Sequence, residues 1–244
     1  MDILILFVLA IIPSVVCLTL LNRQDKDHPE PKSRLAAAFF AGIVSLILTL
    51  VFVNLFDLNV KEWDVGPLEK GLAGAFLEAA IPEEFFKFIC LYFVIWKSKE
   101  FDEYLDGIIY AAFVGMGFAT VENIFYVLDN GIGNAIFRAF TAVPGHFFDG
   151  VIMGYFFALA KFDKQHRLSN LWKSFFFAML AHGIYDGLIE VSVGFFEEDS
   201  DTLMLIGFAL VIAFFIFNIK VWKYGIRKIK ELAAKDKSSP NALS

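Results

Sequence analysis

Charged residues are scarce in this 244-residue chain, since Asp, Glu, Lys and Arg together make up 20% of it. The net charge is −6, so the chain lacks the basic excess expected of a nucleic-acid-binding protein. Cysteine is almost absent: Cys17 and Cys90 lie in separate hydrophobic segments, so we expect neither a disulfide nor a cysteine metal site. Hydrophobic residues, in contrast, make up 58% of the chain, more than a soluble globular domain usually contains.

Hydrophobic segments of about 20 residues recur along the chain, each long enough to cross a hydrocarbon core about 30 Å thick. The first segment lacks a basic region before it and a small-residue cleavage site after it, so we expect it to be retained as a helix. We predict one all-α transmembrane domain, residues 1–223, and a basic tail, residues 224–244, that is disordered. The seven predicted transmembrane helices cover 3–21, 35–56, 72–96, 105–127, 134–160, 171–195 and 202–222.

The basic residues predict how the chain is oriented. Seventeen of the 21 Lys and Arg residues lie in alternate loops and the tail, and three lie in the remaining loops. Because basic loops stay in the cytoplasm, the amino terminus is predicted outside and the carboxyl terminus inside. Anionic lipid is the expected partner of the basic residues beside the last segment, which are Lys220, Lys223, Arg227, Lys228 and Lys230.

Ionisable residues inside the hydrophobic segments are confined almost entirely to four consecutive segments. Such residues are costly in a membrane and are functional-site candidates by default. Their positions along the segments place most of them at a similar depth, displaced toward the outer face. One shared polar site within residues 72–195 is therefore predicted, formed from Glu78, Glu83, Glu84, Lys87, Glu122, Asn123, His146, Asp149, His182, Asp186 and Glu190.

Helical spacing pairs these residues further. Lys87 is three and four residues from the two preceding glutamates, so either carboxylate can reach it. Each histidine has a carboxylate one turn away, which can accept its second N–H: His146 with Asp149, and His182 with Asp186. Pro82 precedes the glutamates and predicts a bend that frees a backbone carbonyl.

Two buried histidines with several carboxylates match the ligands of a catalytic zinc site, which uses three protein ligands and an open position. In that interpretation His146 and His182 bind the metal, with Glu122 or Asp186 as the third ligand. Glu83 or Glu84 would take a proton from water, and Lys87 would hold the other glutamate or stabilise negative charge. A metal-free alternative keeps the glutamate base and makes the two histidines donors to an oxyanion.

A different function remains open from the residues alone. Buried Glu, Asp and His residues also relay protons in ion-coupled transporters. Transporters often contain duplicated halves, whereas here the polar residues occupy only four of seven segments. The transporter is therefore the alternative to a hydrolytic enzyme.

Four motifs in order resemble those of the PrsW family of intramembrane proteases. Glu83-Glu84-Phe85-Phe86-Lys87 resembles its EExxK motif, and Phe118 to Asn123 resembles its FxxxEN motif. His146-x-x-Asp149 and His182-x-x-x-Asp186 resemble its histidine-containing helices. The related CAAX-processing proteases usually have His at the position of Glu122 and Arg at that of Lys87, so the PrsW branch is favoured.

The resemblance implies peptide-bond hydrolysis within or beside the membrane. The expected substrate is a single-span membrane protein, such as an anti-sigma factor whose cleavage starts a stress response, and the expected location is a prokaryotic plasma membrane. The family is described as metalloprotease-like and its relatives also as glutamate proteases, so zinc is the expected cofactor with the metal-free mechanism as the alternative. Asp149 and Asn123 are expected to support the ligands and the base.

Overall fold

The computed structural model describes residues 3–25 and 28–238, and the described chain forms helices without a strand. This architecture confirms the predicted all-α class. A 3₁₀ turn at Val60–Glu62 and a π-helix at Gly74–Ala80 accompany eight α-helices. These are α1 (Ile3–Asn22), α2 (Lys32–Leu55), α3 (Pro67–Ala73), α4 (Ile81–Ile95), α5 (Tyr104–Phe140), α6 (Ala142–Phe162), α7 (Arg167–Phe196) and α8 (Asp201–Ser238).

Five helical stretches of the described chain are long and apolar enough to cross a membrane. They are α1, α2, α7, α8 and the combined stretch Tyr104–Phe162, in which one residue separates α5 from α6. The stretch from α3 to α4 is not among these five, since a π-helix interrupts it and it carries Glu78, Glu83, Glu84 and Lys87. A multi-pass membrane protein is therefore confirmed, whereas the number of seven crossings and their orientation stay predictions.

The third predicted segment is a continuous helical run with a widened turn. The π-helix joins α3 to α4 directly, and the N–H of Ile81 bonds to the carbonyl of Phe76, five residues earlier. Pro82 follows this turn and has no N–H, so the regular four-residue ladder cannot continue through it. Because the turn before Pro82 is wide, it changes the direction in which the preceding side chains project relative to Glu83.

The predicted helices at 105–127 and 134–160 have different boundaries in the structure, because α5 continues as helix to Phe140 and α6 begins at Ala142. The helix is broken at Gly131, whose φ of +77° is a conformation that a residue with a side chain rarely adopts. The residues after this glycine turn back toward the part of α5 that precedes it. Arg138 is thereby returned to the level of Glu122 and joins the site described below.

Helices α5 and α6 form the centre of the bundle. Small residues recur at four-residue spacing on both helices, and their backbones approach so closely that a Cβ on Gly115 would lie 2.8 Å from the carbonyl oxygen of His146. Gly154 lies against the backbone of Gly107 in the same interface. Such contacts bring helices together in a membrane without a hydrophobic driving force. They fix α6, and with it His146, against α5.

The tail predicted to be disordered is helical as far as Ser238, and residues 239–244 lie outside the described residues. Two kinds of contact explain the order. Ile229 and Leu232 are buried against the bundle, and the Asp236 carboxylate accepts the N–H groups of Tyr104 and Leu105 at 2.9 and 2.8 Å. The carboxylate therefore binds the first turn of α5, where unpaired N–H groups favour an anion.

Candidate functional site

Lys87 lies at the centre of the polar residues and is 3% exposed. Its Nζ is 2.7 Å from Glu84 Oε1 and 3.2 Å from Glu83 Oε2, so it reaches both glutamates, as the helical spacing predicts. It also lies 3.2 Å from His146 Nδ1 and 3.9 Å from the centre of the Phe118 ring. One ammonium group thus links α4, α5 and α6.

The two histidines have the same arrangement. Each ring directs Nδ1 toward Lys87 or Glu84 and Nε2 toward a carboxylate. For His146 the Nε2 partner is Glu122, at 3.0 Å. For His182, Nδ1 is 2.8 Å from Glu84 and Nε2 is 3.0 Å from Asp186. A carboxylate at Nε2 favours the proton on that nitrogen in both rings. The Nδ1 of His146 then accepts from Lys87, whereas the Nδ1 of His182 faces a second carboxylate and donates to Glu84.

One of the two predicted histidine pairs is therefore correct and the other is wrong. His182 contacts Asp186, but His146 contacts Glu122 from α5 in place of Asp149 one turn away. Asp149 is 5% exposed and interacts electrostatically with Glu84, Lys87 and His182. The approach of α5 to α6, which sequence spacing cannot show, decides which carboxylate His146 binds.

Arg138 is the residue that the sequence analysis missed. Its guanidinium donates to Glu122 at 2.5 Å and, through Nε, to Asn123 Oδ1 at 2.8 Å. Asn123 in turn donates to the carbonyl of Ala10 in α1, at 2.8 Å. In the sequence Arg138 is a single basic residue near the start of the predicted helix 134–160. The signal that could have found it is Gly131, which allows the chain to turn back.

We use the name buried charge cluster for Glu83, Glu84, Lys87, Glu122, Arg138, His146, Asp149, His182 and Asp186. The structure brings together every predicted catalytic and ligand residue, with Asn123 beside them through Arg138. Five helices contribute to the cluster, since α4, α5, α6 and α7 supply its side chains and α1 anchors Asn123. The sequence prediction of one shared site on consecutive helices agrees with this arrangement.

Four members of the cluster can hold a metal ion. Glu83, Glu84, His146 and His182 each offer one donor atom, all four residues are buried, and these atoms lie within 4.8 Å of one another. Glu84 Oε2 is buried without a hydrogen-bond partner, as a carboxylate oxygen awaiting a cation would be. Two imidazole nitrogens with carboxylate oxygens suit zinc. The set shares both histidines with the predicted ligands but contains Glu83 and Glu84 where Glu122 and Asp186 were expected.

Two connected spaces lead to the cluster. A cavity of about 90 Å³ is lined by Glu83, Glu122, Arg138 and both histidines, among other residues. A larger groove of about 750 Å³ runs between α2, the α3–α4 run, α5 and α7. Glu83 and Glu122 line both spaces, so the groove ends at the cavity. The lining of the groove thus extends from the 57–66 loop and the end of α7 to the buried carboxylates.

Comparison with known proteins identifies the family. Residues 30–219 match the PrsW family of intramembrane metalloproteases. The chain belongs to the PrsW family. It is 35% identical to Protease PrsW of Geobacillus kaustophilus over 233 residues, which cover 95% of this chain and 92% of that protein. It is 35% identical to Protease PrsW of Oceanobacillus iheyensis over 202 residues, covering 83% and 88%, and 30% identical to that of Bacillus subtilis over 222 residues, covering 91% and 92%.

Membership of the PrsW family confirms the resemblance carried by the four motifs and the location in a bacterial membrane. The chain is a membrane-embedded protease, and the comparisons give no support to the transporter alternative. The family is described as a metalloprotease family, and the buried Glu and His donors of this chain suit a metal. No solved structure matches the chain.

Proposed function

We propose that this protease hydrolyses a peptide bond of a membrane-anchored substrate with Glu83 as the general base. The observation that carries the assignment is the position of Glu83, which among the four donor residues lines both the groove and the cavity. Glu84 lines neither space and is fully buried. Water and substrate therefore reach Glu83, whereas Glu84 is enclosed by Lys87 and His182.

Each remaining residue has a role that follows from its contacts. Glu83 takes a proton from the attacking water and passes it to the leaving amine. Lys87, 3.2 Å from Glu83, fixes the orientation of the base and supplies positive charge close to the developing oxyanion. Glu122 and Asp186 hold the two imidazole rings in place through Nε2. Arg138 keeps Glu122 paired.

Glu84, His146 and His182 are the residues that would hold zinc, which corresponds to the two histidines and one carboxylate of many zinc proteases. When bound there, zinc would supply a Lewis acid that lowers the pKa of water and polarises the substrate carbonyl. Glu122 and Asp186 then act behind the histidines, as carboxylates commonly do at metal sites. This assignment replaces either of them as the third ligand.

The metal-free mechanism has one observation in its favour. Lys87 already places a positive charge within hydrogen-bond distance of Glu83, Glu84 and His146. In that case the same base acts, and Lys87 and the histidines donate to the oxyanion. Zinc content separates the two mechanisms: purified active enzyme with stoichiometric zinc that is lost in His182→Ala supports the metal, and active enzyme without metal supports the glutamate type.

A cleavage assay tests the proposed activity. A panel of single-span membrane proteins, including an anti-sigma factor, is co-expressed with wild-type enzyme and with Glu83→Ala, Glu84→Ala, His146→Ala and His182→Ala. We expect all four variants to be expressed and inactive. Glu69→Ala is the matched control, because this exposed carboxylate of α3 does not line the groove. Full activity in all four variants would refute the proposal.

The substrate is proposed to be a single-span protein because the family acts within membranes and apolar residues of α2 line the groove, where a membrane-anchored chain can bind. Cleavage of an anti-sigma factor would connect the enzyme to a stress response.

Anionic lipid is the second proposed partner. Four exposed basic residues of α8 follow helical spacing on one face, and they are Lys220, Lys223, Arg227 and Lys230. Activity in vesicles with and without anionic lipid, compared between wild type and a variant with all four changed to Gln, tests this partner.

A further inference from the structure

Charged side chains are unevenly distributed around the groove that leads to Glu83. Apolar side chains of α2, including Leu46, Leu50 and Val53, line one wall. The other lining residues include six carboxylates, and Lys70 is the basic residue among the described residues of the lining. A peptide bound in this groove therefore meets an apolar wall on one side and negative charge on the other. The carboxylates are Glu78, Glu83, Glu122, Glu190, Glu197 and Glu198.

Among the carboxylates that line the groove, Glu78 is the nearest in sequence to the proposed base, and it lies in the π-helix. It is half-buried, and its carboxylate is 3.4 Å from the N–H of Val60, a long contact that leaves most of its acceptor capacity unused. Glu190 of α7 lies over the same helix, because a side chain at Gly74 would collide with the Glu190 carboxylate. Gly74 is one turn from Glu78, so Glu190 lies about one turn from Glu78 along the groove.

The distance between Glu78 and the base can be expressed in substrate residues. The two glutamates are five residues apart on one helical run, which is about 7 Å at roughly 1.5 Å per residue. An extended peptide advances about 3.3 Å per residue, so about two peptide residues span this distance. Glu78 lies on the side of Glu83 that faces the 57–66 loop.

We propose that the groove binds an extended segment of the substrate and that Glu78 selects a basic side chain two residues from the scissile bond. The selected side chain lies on the side of the bond that faces the 57–66 loop. The inference rests on the proposed function, since it assumes that Glu83 marks the position of the scissile bond. A charge-assisted hydrogen bond in a half-buried groove is stronger than one in water, which makes the selection effective.

A positional scan of the substrate tests the inference. In vesicles, a single-span protein that the enzyme cleaves is given Arg, Gln or Glu at each of the five residues on either side of the bond, which mass spectrometry locates. We expect kcat/KM to be about tenfold higher for Arg than for Gln at the second position on one side only, the change typical of one charge-assisted contact. Equal cleavage of the Arg, Gln and Glu substrates at that position overturns the inference.

Reciprocal variants show whether Glu78 is responsible. Glu78→Gln should reduce the preference for Arg to about twofold, and Glu78→Lys should reverse it in favour of Glu. Glu69→Gln is the matched control, since it removes a carboxylate from the same helical run without altering the groove lining, and it should keep the wild-type preference. An unchanged preference in both Glu78 variants overturns the inference. Cleavage that continues in these variants leaves the proposed function intact, whereas a wild-type enzyme that cleaves no membrane protein removes both.

Discussion

Two groups of carboxylates lie in different parts of this bundle and are held by different partners. The buried charge cluster is held by side chains: Lys87, Arg138 and two histidines contact its carboxylates. The second group, the end cluster, consists of Asp25, Glu30, Glu103, Asp106 and Asp236 and lies where α8 ends against α5. Backbone N–H groups account for much of its bonding, since Asp106 accepts from Asp102 and Glu103 at 3.0 and 2.6 Å and Asp236 from Tyr104 and Leu105.

The difference separates a group of carboxylates that stabilises the fold from a group with a proposed catalytic role. In the end cluster, carboxylates bind the unpaired N–H groups at the start of α5, which stabilises a helix terminus and attaches two chain segments to it. In the buried charge cluster, no helix terminus needs an anion, and oppositely charged side chains from several helices are brought together at a desolvation cost. Such an arrangement supports the proposed site of reaction, and the groove leads to it.

The largest expected effect contrasts one carboxylate from each group. Glu83→Gln removes the proposed base and should lower kcat by about 10²–10⁴-fold, the usual contribution of general base catalysis. Asp106→Asn keeps an oxygen acceptor for the backbone N–H groups and should leave kcat within about threefold of wild type. Initial rates of cleavage of one membrane substrate in detergent measure both values. An equal loss in the two variants would remove the distinction between the groups.

Arg138 tests how far the buried charge cluster extends beyond the residues that reach the substrate. Arg138→Met leaves Glu122 without its cation and should weaken the hold on the His146 ring, so we expect kcat to fall about 10–100-fold. Arg138→Lys keeps the charge but loses the second hydrogen bond to Asn123, and should recover part of the activity. KM should change little in both variants. Activity of Arg138→Met equal to wild type would show that Arg138 does not help to position Glu122 and the His146 ring for catalysis.

Asp236 tests the end cluster as an architectural element. Asp236→Ala removes the anion from the first turn of α5, and the loss of such a cap costs about 1 kcal/mol. The melting temperature in detergent should fall by about 2–4 °C, while kcat at a temperature well below melting should be unchanged. Asp201→Ala, an exposed acidic residue in the first turn of the same helix, serves as the comparison. A large loss of kcat in Asp236→Ala at unchanged melting temperature would contradict an architectural role.

The smallest effect concerns pH. Burial, together with the charges of Glu30 and Glu103, raises the pKa of Asp25 to about 7, although His28 and the N–H of Glu30 act in the opposite direction. Because the folded-state pKa exceeds that of the unfolded chain, the contribution of Asp25 to stability is fully present near pH 4 and is lost as the pH rises through 7. Asp25→Asn should therefore raise the melting temperature by roughly 2 °C at pH 8 and leave it nearly unchanged at pH 4. An equal shift at both pH values would exclude titration of Asp25 as the cause.

Much of this protein could be predicted from its sequence because the membrane imposes strict rules. Long apolar segments become helices, since a backbone in hydrocarbon has to bond internally, and this rule gave the all-α class and the positions of α1, α2, α6 and α7. Ionisable residues in such segments are costly, so Glu83, Glu84, Lys87, His146 and His182 were identifiable as site residues without any structure. The i,i+3 and i,i+4 contacts of Lys87 and the pair between His182 and Asp186 also follow from helical spacing alone.

Contacts between segments were decided only by the tertiary structure. The pairing of His146 with Glu122 depends on the close approach of α5 and α6, and the position of Arg138 depends on the reversal at Gly131. The tail beyond residue 224 is polar enough to predict disorder, but burial of Ile229 and Leu232 and the binding of Asp236 to α5 order it. Spacing along one helix determines which of its own residues can contact each other. The packing of helices determines which charged residues of different helices form pairs. The sequence therefore identifies the candidate site residues, and the fold places Glu83 in the groove and Glu84 in the interior.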